Sequence, residues 1–413
     1  MNCGAPIAEY QDRDESAMTA PSSNQSPPSA AAFVSRWRSE PYRIFFPLGV
    51  LLAWIGVGQW LTFAAGLTAT YPGRIHASIQ LQAFMMAFAI GFLLTALPRR
   101  TQSPPPSRAE LAAFAALLLA TAGAALAERW ALSELAYAGL FVMLFEFAIR
   151  RFAGGTARRN PPAAFVLLPI AALQGIFGAA SIAAAGLSGA PAWAVPFGRL
   201  LVEQGVFLCL VAGVGGLVVP LIGGAPPPPD LARSSREKWK VLAYAAVGAA
   251  IFLGLLLEQL GFERSGSLLC AIAFSAGIGY GAGAWRLPAK PGVHRKLVWL
   301  SIWLMPISLI ACAIWPAHRI AALHILFIGG FGLMAFSVGT HVALSHLNLE
   351  KLALGRPPAV IVMGVAFIAA LLARLAADIS PAYYFVCLEW AAGIWIFGAA
   401  VWLAFFGPKM LRR

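Results

Sequence analysis

Six histidines stand in a chain of 413 residues, and two of them, His324 and His346, bracket the almost wholly apolar stretch HILFIGGFGLMAFSVGTHVALSH. An imidazole near the end of an apolar helix is a candidate ligand for haem iron or another metal. Four glycines within the stretch, Gly329, Gly330, Gly332 and Gly339, would let a neighbouring helix or a flat ligand lie against the backbone. The competing reading is an ordinary packed helix whose terminal histidines touch lipid headgroups.

His324 and His341 lie 17 residues apart. That is about 25 Å along a helix, so they cannot share one metal. Taken with the spans below, His76, His318 and His324 fall at one membrane face, and His294, His341 and His346 at the other. His76 and His324 are the candidate axial ligands of a haem, because both sit just inside the same interface on different helices. His341 and His346 are candidate metal ligands at the opposite face. Five residues turn a helix by about 140°, so that pair needs a third donor such as His294 to hold one ion. Arg199 and Glu203 are spaced i,i+4, which puts them on one helix face. Either they neutralise each other, or the guanidinium receives a haem propionate or another anion. Gln80, Gln82, Gln204 and Glu389 add buried polar groups to the same half of the membrane.

The elements that must position these residues are membrane spans. The chain is 60% hydrophobic and 11% charged, with a mean hydropathy of +0.75. Apolar runs of about 20 residues recur along it. Twelve are expected, near 45–66, 77–97, 109–127, 132–150, 163–187, 196–222, 239–260, 265–285, 297–315, 320–344, 358–376 and 381–406. The fold class is therefore all-α and polytopic, with short connections making chain neighbours antiparallel.

Charge fixes the orientation. The net charge of +13 would suggest nucleic acid in a soluble protein, but 24 of the 30 Lys and Arg fall in the tails and loops of one side. Only Arg74, Arg129, Arg264, Arg319 and Arg374 fall opposite, and Arg199 lies within the sixth span. This bias predicts both termini in the cytoplasm and accounts for the basic excess without a nucleic-acid partner. The Ser/Pro-rich segment 1–40 reads as a disordered cytoplasmic tail, and 41–413 as the transmembrane domain. Proline-rich loops at Ser103–Ser107 and Ala225–Asp230 read as spacers, and the second suggests halves at 41–224 and 231–413. Cys3, Cys209, Cys270, Cys312 and Cys387 stand singly, with no C-x-x-C or haem-attachment motif. No nucleophile–base spacing or Walker loop is present, so the sequence makes no claim of catalysis.

Two segments resemble the NnrS family: PYRIFFPLG (Pro41–Gly49) with IHASIQLQAFMMAFAIGFLLTALP (Ile75–Pro98), and LHILFIGGFGLMAFSVGTHVALSH with its Gly-x-x-Gly. The resemblance implies a haem- and copper-containing membrane protein associated with nitric oxide and nitrosative stress. His76 matches the first histidine of the family's His-Ala-His-Glu-Met run, with Ser78, Ile79 and Gln80 in place of what usually follows. His324 and His346 match the histidines at the two ends of the later helix. His341 and Leu217 fall where arginines are common, which marks a divergent branch.

The expectation is a multi-pass protein of the bacterial inner membrane that binds haem b through His76 and/or His324, with Arg199 and Glu203 beside it. Copper is a second cofactor and nitric oxide or a related small molecule the ligand, in a role in nitric oxide tolerance or denitrification. A haem–copper oxidase-like subunit is a poor match, since it needs adjacent histidine pairs and this chain has none. The alternative is a secondary transporter of a small anionic or proton-coupled substrate, with Arg199, Glu203 and Glu389 forming its site.

Overall fold

The computed structural model describes residues 30–157, 160–186, 190–225 and 235–412. Residues 1–29 of the expected tail, 226–230 of the second proline-rich loop, Arg158, Arg159, Arg233 and Arg413 lie outside the described residues. The end of the tail segment, Ala30–Ser39, forms a short helix.

Apolar runs too long for a soluble helix become the rods of a bundle. They are α1 (Tyr42–Ala64), α2 (Gly73–Thr101), α3 (Arg108–Leu126), α4 (Trp130–Gly154), α5 (Ala163–Ala183) and α6 (Ala194–Gly223). The second six are α7 (Lys238–Gln259), α8 (Glu263–Ser275 continued by Ala276–Gly281), α9 (Val293–Ile314), α10 (Pro316–His346), α11 (Pro358–Ile379) and α12 (Pro381–Leu411). Eleven are long and apolar enough to cross a membrane. α8, the segment expected as the eighth span, is a helix of the bundle but misses that level. Glu263 and Arg264 in its first turn and its run of glycines dilute its apolarity. No strand occurs among the described residues.

Chain neighbours pack as hairpins, α3 on α4, α4 on α5, α7 on α8 and α11 on α12, and α12 returns against α1. Three helices run through the middle. In α2, α6 and α10, 83%, 72% and 67% of the most apolar stretch is buried, against 28–56% in the other eight. Each of these three is interrupted by a π-helical run, at Ile79–Met85, Leu201–Gly205 and Ile325–Gly332. Such i→i+5 bonding rotates the residues that follow out of the α register, and it concentrates at functional sites.

Ion pairs pin the ends. Arg319 at the start of α10 binds Glu258 of α7, whose other oxygen accepts from Ser267 of α8 at 2.6 Å. At the opposite end Glu110, in a capping box with Ser107, receives both guanidinium nitrogens of Arg151 at 3.0 Å, tying α3 to α4. The carbonyl of Pro106, in the first proline-rich loop, accepts from Arg38 at 2.9 Å. Cys209, Cys270 and Cys312 are buried in the core.

Candidate functional site

A cavity of about 540 Å³ opens among the central helices at the end of the bundle opposite the basic loops. This volume falls in the range of roughly 300–1,000 Å³ typical of sites that enclose small organic ligands. Its walls come from α1, α2, α4, α5 and α6 in the first half of the chain and from α10, α11 and α12 in the second. Phe84, Met85, Ile328, Leu388 and Trp395 make an apolar floor, with Phe84 and Trp395 edge to face at 5.7 Å. Arg74, Gln82, Glu134, Arg199 and Glu203 make a polar wall nearer the mouth.

His76 and His324 both line this cavity, on α2 and α10. His76 occupies the turn before one π-helical run, and His324 immediately precedes another. The His76 Nδ1 lies 3.0 Å from the carbonyl oxygen of Gly56 on α1. The His324 Nδ1 lies 2.7 Å from the carbonyl of Ile320, one turn earlier on its own helix. A carbonyl can only accept, so in each ring Nδ1 carries the proton and Nε2 keeps its lone pair. Donation of the far ring N–H to a carbonyl or carboxylate is the arrangement that orients metal-ligating imidazoles and raises their basicity. Gly56 is what allows it. A Cβ there would sit 2.5 Å from the Gln80 amide nitrogen and 3.0 Å from Ile79, so the missing side chain lets α1 approach α2.

The four glycines of the α10 stretch divide differently from the flat-ligand expectation. Gly329 and Gly330 face Leu304 and Met305 of α9, and Gly339 faces Phe88 and Trp402, so these three serve helix packing. Only Gly332 of the four lines the cavity.

Arg199 and Glu203 both line the cavity. Their i,i+4 spacing brings both to this wall without an ion pair within 4 Å, and the π-helical run Leu201–Gly205 begins between them and includes Glu203. Among the described residues no carboxylate stands within 4 Å of either Arg199 or Arg74. Arg74 lies over the Trp130 ring at 3.8 Å. Arg374, the third arginine of the cavity, is neutralised by Asp378 at 3.2 Å. Glu134 is buried and accepts from Gln82 at 2.8 Å, while Gln82 accepts from the Ser78 hydroxyl at 2.6 Å. Gln80 lines the cavity and donates to the Ala53 carbonyl at 2.8 Å. Gln204 is buried outside the lining, and Glu389 is not part of it.

The remaining histidines do not converge on one point. His341 pairs with His294, Nδ1 to Nε2 at 3.2 Å, with the rings stacked. His346 instead packs on Tyr42 at 5.1 Å and stands 3.4 Å from the Glu40 carboxylate. Among the described residues no group of three or more His, Cys, Asp or Glu is placed to hold a metal ion. A three-donor copper site therefore does not fit the side chains at this end. His318 lies 3.4 Å from Asp378, outside the cavity lining.

Several cavity residues escape sequence reasoning. Arg74 and Arg374 count there only as charges of the outer side, and Glu134 is not singled out. The signal that could have found them is depth, since each lies within the apolar length of a span.

Fold and site together define a polytopic, all-helical membrane protein with an amphiphilic, imidazole-lined cavity enclosed near one end. The chain matches the NnrS protein family over residues 36–413, nearly its whole length, and belongs to that family. Membership makes it, at the level of the family, a membrane protein of the nitric oxide response. A comparison with curated proteins finds no match.

Proposed function

We propose that this cavity binds haem b through His76 and/or His324, and that the protein contributes through it to nitric oxide tolerance or denitrification. The observation that carries the reading is the pair of imidazoles on one cavity, each with Nδ1–H given to a backbone carbonyl and Nε2 bare. An imidazole kept merely for packing has no need of that tautomer on both rings. When bound, the haem supplies an iron that can coordinate a diatomic ligand. If haem binds, His76 and His324 would hold it through Nε2, the apolar floor would pack against it, and Arg199 and Glu203 would lie at its polar side. The charge bias of the loops supports a bacterial inner-membrane location with both termini cytoplasmic. Copper, the second cofactor of the reading, has only the His294–His341 contact as a two-imidazole locus, and Arg295 and Lys290 nearby oppose a cation there.

The test is the absorption spectrum of detergent-purified protein with haem and metal analysis. Wild type should show a Soret band, reduced in His76→Ala and His324→Ala and lost in the double variant. A double variant that folds and keeps the band removes the assignment. Uptake of a small anion into vesicles by haem-free protein would favour the transporter reading, whose charged site would be Arg199, Glu203 and Arg74 without Glu389.

A further inference from the structure

The cavity wall holds two guanidinium groups that, among the described residues, have no carboxylate within 4 Å. Arg74 comes from the first turn of α2 and Arg199 from α6, just before its π-helical run. Both line the same cavity. Two further arginines in this half of the bundle show what an ion pair there looks like: Arg374 has Asp378, and Arg319 has Glu258. Carboxylates are at hand for Arg74 and Arg199 too, since Glu134 and Glu203 line the same wall. Neither makes an ion pair with them within 4 Å, and Glu134 instead accepts from the Gln82 amide. Trp130 stacks on the Arg74 guanidinium and fixes its plane without supplying a counter-charge.

Arg199 is exposed and Arg74 half-buried, and both line the cavity, so their N–H donors are open to an anionic ligand there. Forked guanidinium groups on separate helices suit two separate carboxylates, each bound through paired N–H donors. The apolar floor lies below them, so the matching ligand has an apolar body and two carboxylates on one edge.

We propose that Arg74 and Arg199 form a two-carboxylate clamp that selects and orients the propionate edge of the macrocycle, with Glu203 outside the clamp. The assignment rests on the haem reading above and extends it to Arg74. Both arginines are positioning residues. They set which edge of the ring faces the mouth, while the imidazoles set the axial direction.

The experiment compares apo-protein of the full chain, in detergent, titrated with haem b and with its dimethyl ester, in which both carboxylates are blocked. Wild type should prefer the free acid by about tenfold or more, the size of a charge-assisted hydrogen bond. Arg74→Gln with Arg199→Gln should abolish that preference, while the distant exposed Arg264→Gln keeps it. Equal binding of the two compounds by wild type would overturn the clamp and leave the haem reading standing. A preference that survives in the double variant would overturn it as well. Binding of neither compound by wild type would remove the haem reading itself. The ester comparison needs no variant, so a misfolded double mutant does not protect the proposal.

Discussion

Replacing Gly56 by alanine perturbs the haem site without touching a ligand. The new methyl would stand 2.5 Å from the Gln80 amide nitrogen and 3.0–3.1 Å from Ile79. Gln80 could yield only by loosening its bond to the Ala53 carbonyl, a loss of about 1 kcal/mol. Ile79 is β-branched, fully buried and opens the π-helical run, so it has little rotamer freedom to give. α1 and α2 must therefore part by roughly 0.4 Å to restore ordinary contact. The His76 Nδ1 to Gly56 oxygen distance, now 3.0 Å, would then leave the normal range of about 2.7–3.2 Å. Overpacking of this kind costs about 1–3 kcal/mol of stability. Loss of the ring's outer partner lowers affinity for the group it ligates by about 10–100-fold. The control is Gly58→Ala on the same helix, where a Cβ meets nothing within 4 Å. That change should leave binding intact and stabilise by up to about 1 kcal/mol. Haem titration of apo-protein, read in the Soret region beside a thermal melt, measures both. Wild-type affinity in Gly56→Ala, or equal losses in the two variants, would refute the reasoning.

Arg319→Ala should destabilise by about 3–5 kcal/mol in thermal unfolding, because it strands the buried Glu258 carboxylate. The Arg319→Met, Glu258→Gln pair should cost clearly less, and equal costs would deny that a stranded charge is the cause. Gln82→Leu removes the donor to Glu134 and the acceptor of Ser78, and should cost about 1–3 kcal/mol in the same assay. At the opposite end, burial pushes the Glu40 carboxyl up, but His346 and Arg43 outweigh it and hold it at about 2, below the ordinary 4.5. A depressed carboxyl stabilises fully above its unfolded value and loses that contribution as pH falls toward 2. On the order of 3 kcal/mol should thus disappear between about pH 4.5 and 2. Glu40→Gln should flatten that stretch of a melting-versus-pH profile, and an unchanged profile would show that the carboxylate plays no part.

Much of the bundle was legible because membrane spans are long, apolar and bounded by charge. The grouping of His76 with His324 at one face came from the same count, and the two rings do line one cavity. The helix content of α8 was readable, but its level of apolarity was overestimated, since glycines that pack helices closely contribute little hydropathy. The π-helical runs were not legible. Four occur among the described residues, in the central helices α2, α6 and α10 and in α8, and the spacing of apolar residues gives no sign of them. Arg199 and Glu203 do share one wall, although a π-helical run begins between them. Arg74 was hidden by boundary placement, since a shift of a few residues at a span's start moves a charge from loop to cavity wall, while Arg374, within the expected eleventh span, was counted only as a charge of the outer side. The partner of His341 was named in advance only as a third donor, because two helices 47 residues apart in sequence must pack before their rings can meet.

The most direct measurement is a near-infrared magnetic circular dichroism spectrum of the oxidised, haem-loaded protein, which reports axial ligand type independently of any activity. The account predicts imidazole nitrogen ligation that changes when His76 or His324 is replaced. Haem held by a non-imidazole ligand, or a spectrum indifferent to both replacements, would contradict it.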